Sequence, residues 1–228
     1  ANPLGSIEKT AADVRATGRR VLPVRLDVTD DAQIHDLVRR VRDEFGRIDI
    51  VVNNAARMGV TGGDFWGGEI ETLDDFYRTN LRAPYLITQL VGPQMEAQGG
   101  GVIVNVTSAG ANLPPPPGPG WQLSPGRTFV GYGITKAALN RWVAGVAGEL
   151  SLRNIAIVAI DPGRANVERK IAKPLPGVDY STAETPETTG RAIAFVCRDP
   201  MAYTGRVLVS REVVDANGLQ LSGIMPVL

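Results

Sequence analysis

Short apolar runs rich in valine and isoleucine recur along the chain: Val21–Val28, Ile48–Asn53, Val102–Val106, Ile155–Ile160 and Arg206–Val209. Longer segments with helical spacing separate them. Runs of near-continuous apolar character suit strands covered on both faces, so the alternation predicts β-α-β units and an α/β, doubly wound, mostly parallel sheet. The helices have readable starts and stripes. Thr29-Asp30-Asp31 can cap a helix whose apolar positions Ile34, Leu37, Val38 and Val41 fall three and four apart. A second begins at Thr72, with Leu73, Phe76, Leu81, Leu86 and Leu90 as its buried stripe. A third runs from about Tyr132 to Leu150 on Leu139, Val143, Val146 and Leu150, and Pro186-Glu187 opens a fourth through Ala192, Ala194 and Phe195.

Two stretches break this rhythm. Leu113–Arg127 is crowded with prolines, which deny both helix and central-strand pairing, and Lys170–Thr185 carries further prolines around Tyr180. Both read as long surface loops, either substrate lids or solvated insertions.

Composition narrows the partners. The 228 residues, 43% hydrophobic, suit one globular domain or at most two small ones, and 24 basic residues balance 24 acidic ones, which gives no net field toward nucleic acid or an anionic membrane. One cysteine, Cys197, and one histidine, His35, do not supply the ligand set of a zinc or iron–sulfur site, so no metal centre is expected. No apolar stretch is long enough to span a bilayer, and the start, Ala-Asn-Pro-Leu-Gly, is unlike a secretory leader; the expectation is a cytoplasmic protein. His35 reads as a surface residue and Cys197 as packing. Trp66, Trp121 and Phe129 either anchor loops or line a substrate pocket.

The chemistry concentrates at Tyr132 and Lys136, four apart on one helix and so stacked on one face. A phenol is a poor acid or base near neutrality unless a cation favours its ionised form, and Lys136 is such a cation. Other polar or special residues end successive strands. Asp27 closes the first run, Asn53-Asn54-Ala55-Ala56 the second, Ser108 follows the third, and Pro162-Gly163 the fourth. Open α/β sheets bind ligands at that end of their strands.

On these residues the chain resembles the short-chain dehydrogenase/reductase family, from Leu26-Asp27-Val28 through Asn53-Asn54-Ala55, Thr79-Asn80, Ser108, Tyr132-x-x-x-Lys136 and Pro162-Gly163 to the segment ending at Leu208. The resemblance implies a single Rossmann-type domain over 1–228. It implies reversible hydride transfer between a nicotinamide cofactor and a carbonyl or secondary alcohol. Asn80, Ser108, Tyr132 and Lys136 would be the catalytic set. Tyr132 would exchange the proton, Ser108 would donate to the substrate oxygen, Lys136 would lower the tyrosine pKa and hold the ribose, and Asn80 would steady a water leading to Lys136. Asp27, Val28, Asn53, Asn54, Ala55, Tyr132, Lys136, Pro162 and Gly163 would bind the cofactor, with Asp27 at the adenine. The substrate would be a small alcohol or ketone, and the full-length protein a homo-oligomer, dimer or tetramer. A catalytically inactive scaffold acting through the same helices is the alternative.

The sequence departs from the family in several places. Ala56 stands where the family has glycine, the Ser108–Tyr132 spacing is long, and Val167 with Asn166 occupies the place of a threonine that contacts the carboxamide. No Thr-Gly-x-x-x-Gly-x-Gly turn occurs, and the choice of NAD or NADP stays open. The chain thus reads as N-terminally truncated, lacking the first β-α-β portion, with Ile7, Ala11 and Val14 as the remnant of a helix. In strand order 3-2-1-4-5-6 the absent strands would separate Val21–Val28 from Ile48–Asn53. The first is then expected to lack its partner and the second to expose an apolar edge, unless the two pair directly.

Overall fold

A computed structural model describes residues 6–58, 66–112, 130–163 and 183–221. Helix α1 (Ile7–Ala16) starts at Ser6, whose side chain accepts from the Lys9 N–H. Helix α2 (Asp31–Phe45) starts as its sequence suggests. Asp30 accepts from the Gln33 N–H, and the left-handed Gly46, φ 79°, ends the helix. Strand β1 (Ile50–Asn53) leads to α3 (Ile70–Tyr77), a π-helical turn (Arg78–Arg82) and α4 (Ala83–Ala97). Strand β2 (Gly101–Val106) is followed by a short 3-10 turn (Ala109–Ala111) and the long α5 (Val130–Ser151). Strand β3 (Ile155–Asp161), α6 (Pro186–Val196), a second 3-10 turn (Pro200–Tyr203), β4 (Val207–Val209) and α7 (Ser210–Ala216) complete the described elements.

The strands form one parallel sheet in the order β1-β2-β3-β4, with Asn53 opposite Asn105 and Asp161 opposite Val209. The β3 side chains sort by alternation. Ile155, Ile157 and Ala159 pack with Val91 and Met95 of α4 and Val143 and Ala147 of α5, while Ala156, Val158 and Ile160 pack with Ala192 and Val196 of α6 and Val213 and Val214 of α7. Helices therefore cover both faces of the central strands, as their unbroken apolar runs require.

The structure corrects several expected elements. Val21–Val28 is not a strand, because its N–H and C=O groups meet no ladder partner among the described residues. It does not pair with β1, and an apolar groove of about 300 Å³ touching Leu26, Val28, Val41, Ile50 and Val52 lies between them. Among the described residues β1 is an edge strand, with Ile50 and Val52 51% and 42% exposed. The helix expected from Thr72 starts at Ile70 and is interrupted by the π turn, which gives the chain an extra residue and carries Asn80 inward. The expected loops at Leu113–Arg127 and Lys170–Thr185 lie outside the described residues apart from 183–185, as do Trp121, Phe129, Asn166 and Val167. Trp66 and His35 are exposed, and Cys197 packs part-buried against the α6–α7 core.

Candidate active site

Tyr132 lies in the first turns of α5, buried, with its ring edge-to-face on Phe76 at 6.5 Å between centroids. Its phenol is close enough to the side chain of Ser108 for that hydroxyl to act on it; Ser108 follows β2 and accepts from the Gly110 N–H at 3.1 Å. Lys136, one turn on, is buried too. Its Nζ donates to the Val106 carbonyl at 2.7 Å and lies 5.7 Å from the centre of the Tyr132 ring. The hydroxyl, phenol and ammonium expected from the sequence thus meet.

The electrostatics differ from the expectation. Burial pushes the Tyr132 phenol above its ordinary pKa, the Ser108 hydrogen bond opposes that rise, and the charge of Asp161 adds to it. Burial also lowers Lys136 to about 8. One N–H of the Lys136 ammonium goes to the Val106 carbonyl, and removal from water is the largest cause acting on both groups.

Asn80 is fully buried in the π turn. Its Oδ1 accepts from the Arg57 N–H at 2.9 Å, and its Nδ2 donates to the Arg57 carbonyl and the Thr135 hydroxyl, both at 3.1 Å. Thr135 in turn donates to the Tyr132 carbonyl at 2.8 Å. Asn80 therefore ties the segment after β1 to the turn of α5 that carries the phenol.

Of the other expected residues, Asn53 donates from Nδ2 to Asn105 Oδ1 at 2.9 Å and stitches the ends of β1 and β2. Asn54 and Ala55 follow β1 and are exposed. Asp27, Val28 and Ala55 line a cleft of about 880 Å³ together with Arg25, Leu26 and Arg57. Asp27 Oδ1 accepts from the N–H and hydroxyl of Thr29, which holds its carboxyl below the usual range. The Val28 N–H has no partner among the described residues. Pro162 and Gly163 turn the chain away from β3, with the Gly163 N–H donating to Asp161 Oδ1 at 2.9 Å. Sequence reasoning missed Asp161, Asn105 and Thr135. A polar residue closing an apolar strand, and another within one, were the available signals.

A parallel sheet flanked by helices, with Ser108, Tyr132 and Lys136 gathered at the carboxyl end of its strands, defines an α/β domain of Rossmann type. The chain matches the short chain dehydrogenase family over residues 4–174 and belongs to that family, whose members act on CH–OH groups. It is 28% identical to mouse dehydrogenase/reductase SDR family member 1, over 95% of this chain and 72% of that protein. It is 33% identical to the 3-oxoacyl-[acyl-carrier-protein] reductase FabG of Thermotoga maritima, over 83% of this chain and 75% of that protein. Among solved structures it resembles a short-chain dehydrogenase from Streptomyces avermitilis, with TM-score 0.70, 26% identity, and 92% of this chain and 78% of that one covered. It shares its fold with a 7α-hydroxysteroid dehydrogenase complexed with NADH and 7-oxo glycochenodeoxycholic acid, with TM-score 0.75, 23% identity, and 89% and 78% covered. No helix among the described residues is long and apolar enough to cross a membrane.

Proposed function

We propose that the protein is a nicotinamide-dependent oxidoreductase that interconverts a ketone or aldehyde and its alcohol, with Tyr132 exchanging the proton. The observation that carries this reading is the meeting of Ser108 and Lys136 at the buried Tyr132 phenol. The two ends of a dinucleotide have fitting residues. At the adenine end, the Val28 N–H, without a partner among the described residues, and the second oxygen of Asp27 offer a donor and an acceptor at the wall of the large cleft. At the nicotinamide end stand Lys136, Pro162 and Gly163. The glycine turn that the family uses for the pyrophosphate does not occur in this sequence, so dinucleotide binding is the first quantity to measure.

When bound, the dinucleotide supplies or accepts the hydride. In reduction, Tyr132 Oη gives its proton to the substrate oxygen as the carbonyl carbon gains the hydride, while the Ser108 hydroxyl donates to that oxygen as its charge develops. A phenol is protonated near neutrality, so Tyr132 carries the proton this step needs, while the burial that raises its pKa makes it the weaker donor. Lys136 is placed to hold the ribose and recharge the phenol. Asn80 positions both by fixing the turn of α5 between them. Half-exposed Tyr77, Tyr85 and Ile134, with Tyr85 stacked on Trp142 at 5.2 Å, favour self-association through the α4–α5 face.

The test is NADH and NADPH oxidation against a ketone panel. Tyr132→Phe is expected to lower turnover by about 10²-fold or more while leaving dinucleotide affinity, read by reduced-nicotinamide fluorescence, within about twofold. Unchanged turnover in that variant refutes the proton-transfer role.

A further inference from the structure

The chain leaves the sheet at Pro162-Gly163 and is back beside that turn at Glu184, just before α6. Gly163 has a left-handed backbone, φ 66°, a conformation that glycine adopts at little cost. Its N–H donates to Asp161 Oδ1 at 2.9 Å, which ties one side of the turn to the strand it follows. On the side where a side chain would stand, a Cβ built on Gly163 would lie 3.7 Å from Cγ of Glu184, and no other described atom outside the adjoining residues comes within 4 Å of it. The stem of Glu184 therefore faces the bare side of the turn across the width of one methyl group.

The Glu184 carboxylate is held from two helices. Its Oε2 accepts from the Thr188 hydroxyl at 3.1 Å and from Arg211 Nη1 at 3.4 Å. Thr188 is fully buried in α6, so that donor has a fixed place. Arg211 opens α7, and its Nε donates to Asp215 Oδ2 at 2.9 Å, which orients the guanidinium toward Glu184. The Glu184 side chain is 20% exposed and that of Arg211 50%, so solvent screens the pair only in part. A chain of polar contacts thus runs from α7 through Arg211 and Glu184 to the edge of the site.

We propose that Glu184 and Arg211 are positioning residues for the nicotinamide end of the dinucleotide: with Thr188 they fix the Glu184 stem beside Gly163 and so limit how far the Pro162-Gly163 turn moves. A displacement of the order of 1 Å in a wall that orients a bound group is enough to change how well that group is held. The assignment rests on the function proposed above, which puts Pro162 and Gly163 at the nicotinamide.

The experiment is a double-mutant cycle on the affinity of the full chain for NADH and NADPH, read by reduced-nicotinamide fluorescence. Glu184→Gln keeps the stem and an acceptor for Thr188 while removing the charge, and Arg211→Gln removes the charge of its partner. Each is expected to weaken the tighter-binding dinucleotide by about two- to fivefold, the worth of a partly exposed ion pair. The double variant is expected to lose no more than either single one, and Arg211→Lys to recover most of the parent affinity. The dinucleotide KM is expected to rise in step, with turnover at saturating dinucleotide within about twofold of the parent.

A melting temperature that falls in the single variants while dinucleotide affinity stays at the parent value overturns the assignment, because the pair then serves only to join α6 and α7. Additive losses in the double variant, or a loss in Glu184→Gln with none in Arg211→Gln, also overturn it, because Glu184 then acts without its partner. These outcomes leave the oxidoreductase reading intact. Failure of the parent chain to bind either reduced dinucleotide overturns both.

Discussion

Replacing Lys136 with methionine tests the electrostatic account of the site most directly, because it removes the ammonium and keeps a side chain of similar reach. Burial lowers the Lys136 pKa from 10.5 to about 8. At about 1.4 kcal/mol per pH unit, that interval corresponds to a cost of about 3 kcal/mol for keeping the ammonium charged in the folded protein. Below pH 8 both folded and unfolded chains hold the proton, and the whole cost is present. Between about 8 and 10.5 the folded protein has released it and the unfolded chain has not, so unfolding takes up a proton and the parent gains stability as pH rises. Lys136→Met lacks this dependence. Urea denaturation followed by circular dichroism at intervals from pH 7 to 10 is therefore expected to show the parent gaining on the variant by up to about 3 kcal/mol. At pH 7 the variant is expected to hold or gain stability despite losing the hydrogen bond to Val106. Groups common to both proteins, Tyr132 and Cys197 among them, cancel to first order in the difference. A difference constant to within about 0.5 kcal/mol refutes the claim that Lys136 is held in a medium hostile to its charge.

Ser108→Ala removes the hydrogen bond that opposes the rise of the Tyr132 pKa, so the alkaline limb of a rate–pH profile is expected to move to higher pH and kcat/KM to fall by about 10²-fold; a fall with no displaced limb contradicts the Ser108–Tyr132 coupling. Gly133→Ala places a Cβ at 2.8 Å from the Gly110 carbonyl, and a rigid backbone neighbour leaves only distortion of the turn that holds Ser108. It is expected to cost about 1–3 kcal/mol in a thermal or urea melt and to impair turnover, and wild-type values in both argue against that contact. Tyr85→Lys charges the α4–α5 face and is expected to reduce concentration-dependent association in sedimentation. Unchanged association shows that this face is not the contact.

The parts of this fold that were legible in the sequence are those whose cause is local or follows from burial on both sides. Asp30 and Gly46 bound α2 because a side-chain cap and a left-handed terminus are set by the residues themselves. Strands β2 and β3 announce themselves because helices cover both faces, and only apolar residues tolerate that. Val21–Val28 carries the same local signal and fails to become a strand, since a ladder needs a partner that the segment's own composition does not provide. The π turn was hidden for a related reason. The spacing from Leu73 to Leu90 averages over one extra residue, and only the inward position of Asn80 reveals it.

The site divides along the same line. Chain order and parallel topology bring the ends of β1, β2 and β3 to one edge, so Asn53 and Ser108 were placeable from strand boundaries alone, while Asp161, one residue past the apolar run, was passed over. Their protonation was not, because that depends on how deeply α5 is seated. The stripe of Leu139, Val143 and Ala147 that packs α5 into the core also draws Tyr132 and Lys136 out of water. One packing interaction therefore sets two pKa shifts of opposite sign, up for the phenol and down for the ammonium, and each favours the neutral form. A neutral phenol is the acid that carbonyl reduction requires. Alcohol oxidation starts from the ionised form, which burial and the Asp161 charge both oppose. Under the proposed reaction, the depth of one helix therefore weighs against the ionised phenol from which alcohol oxidation starts.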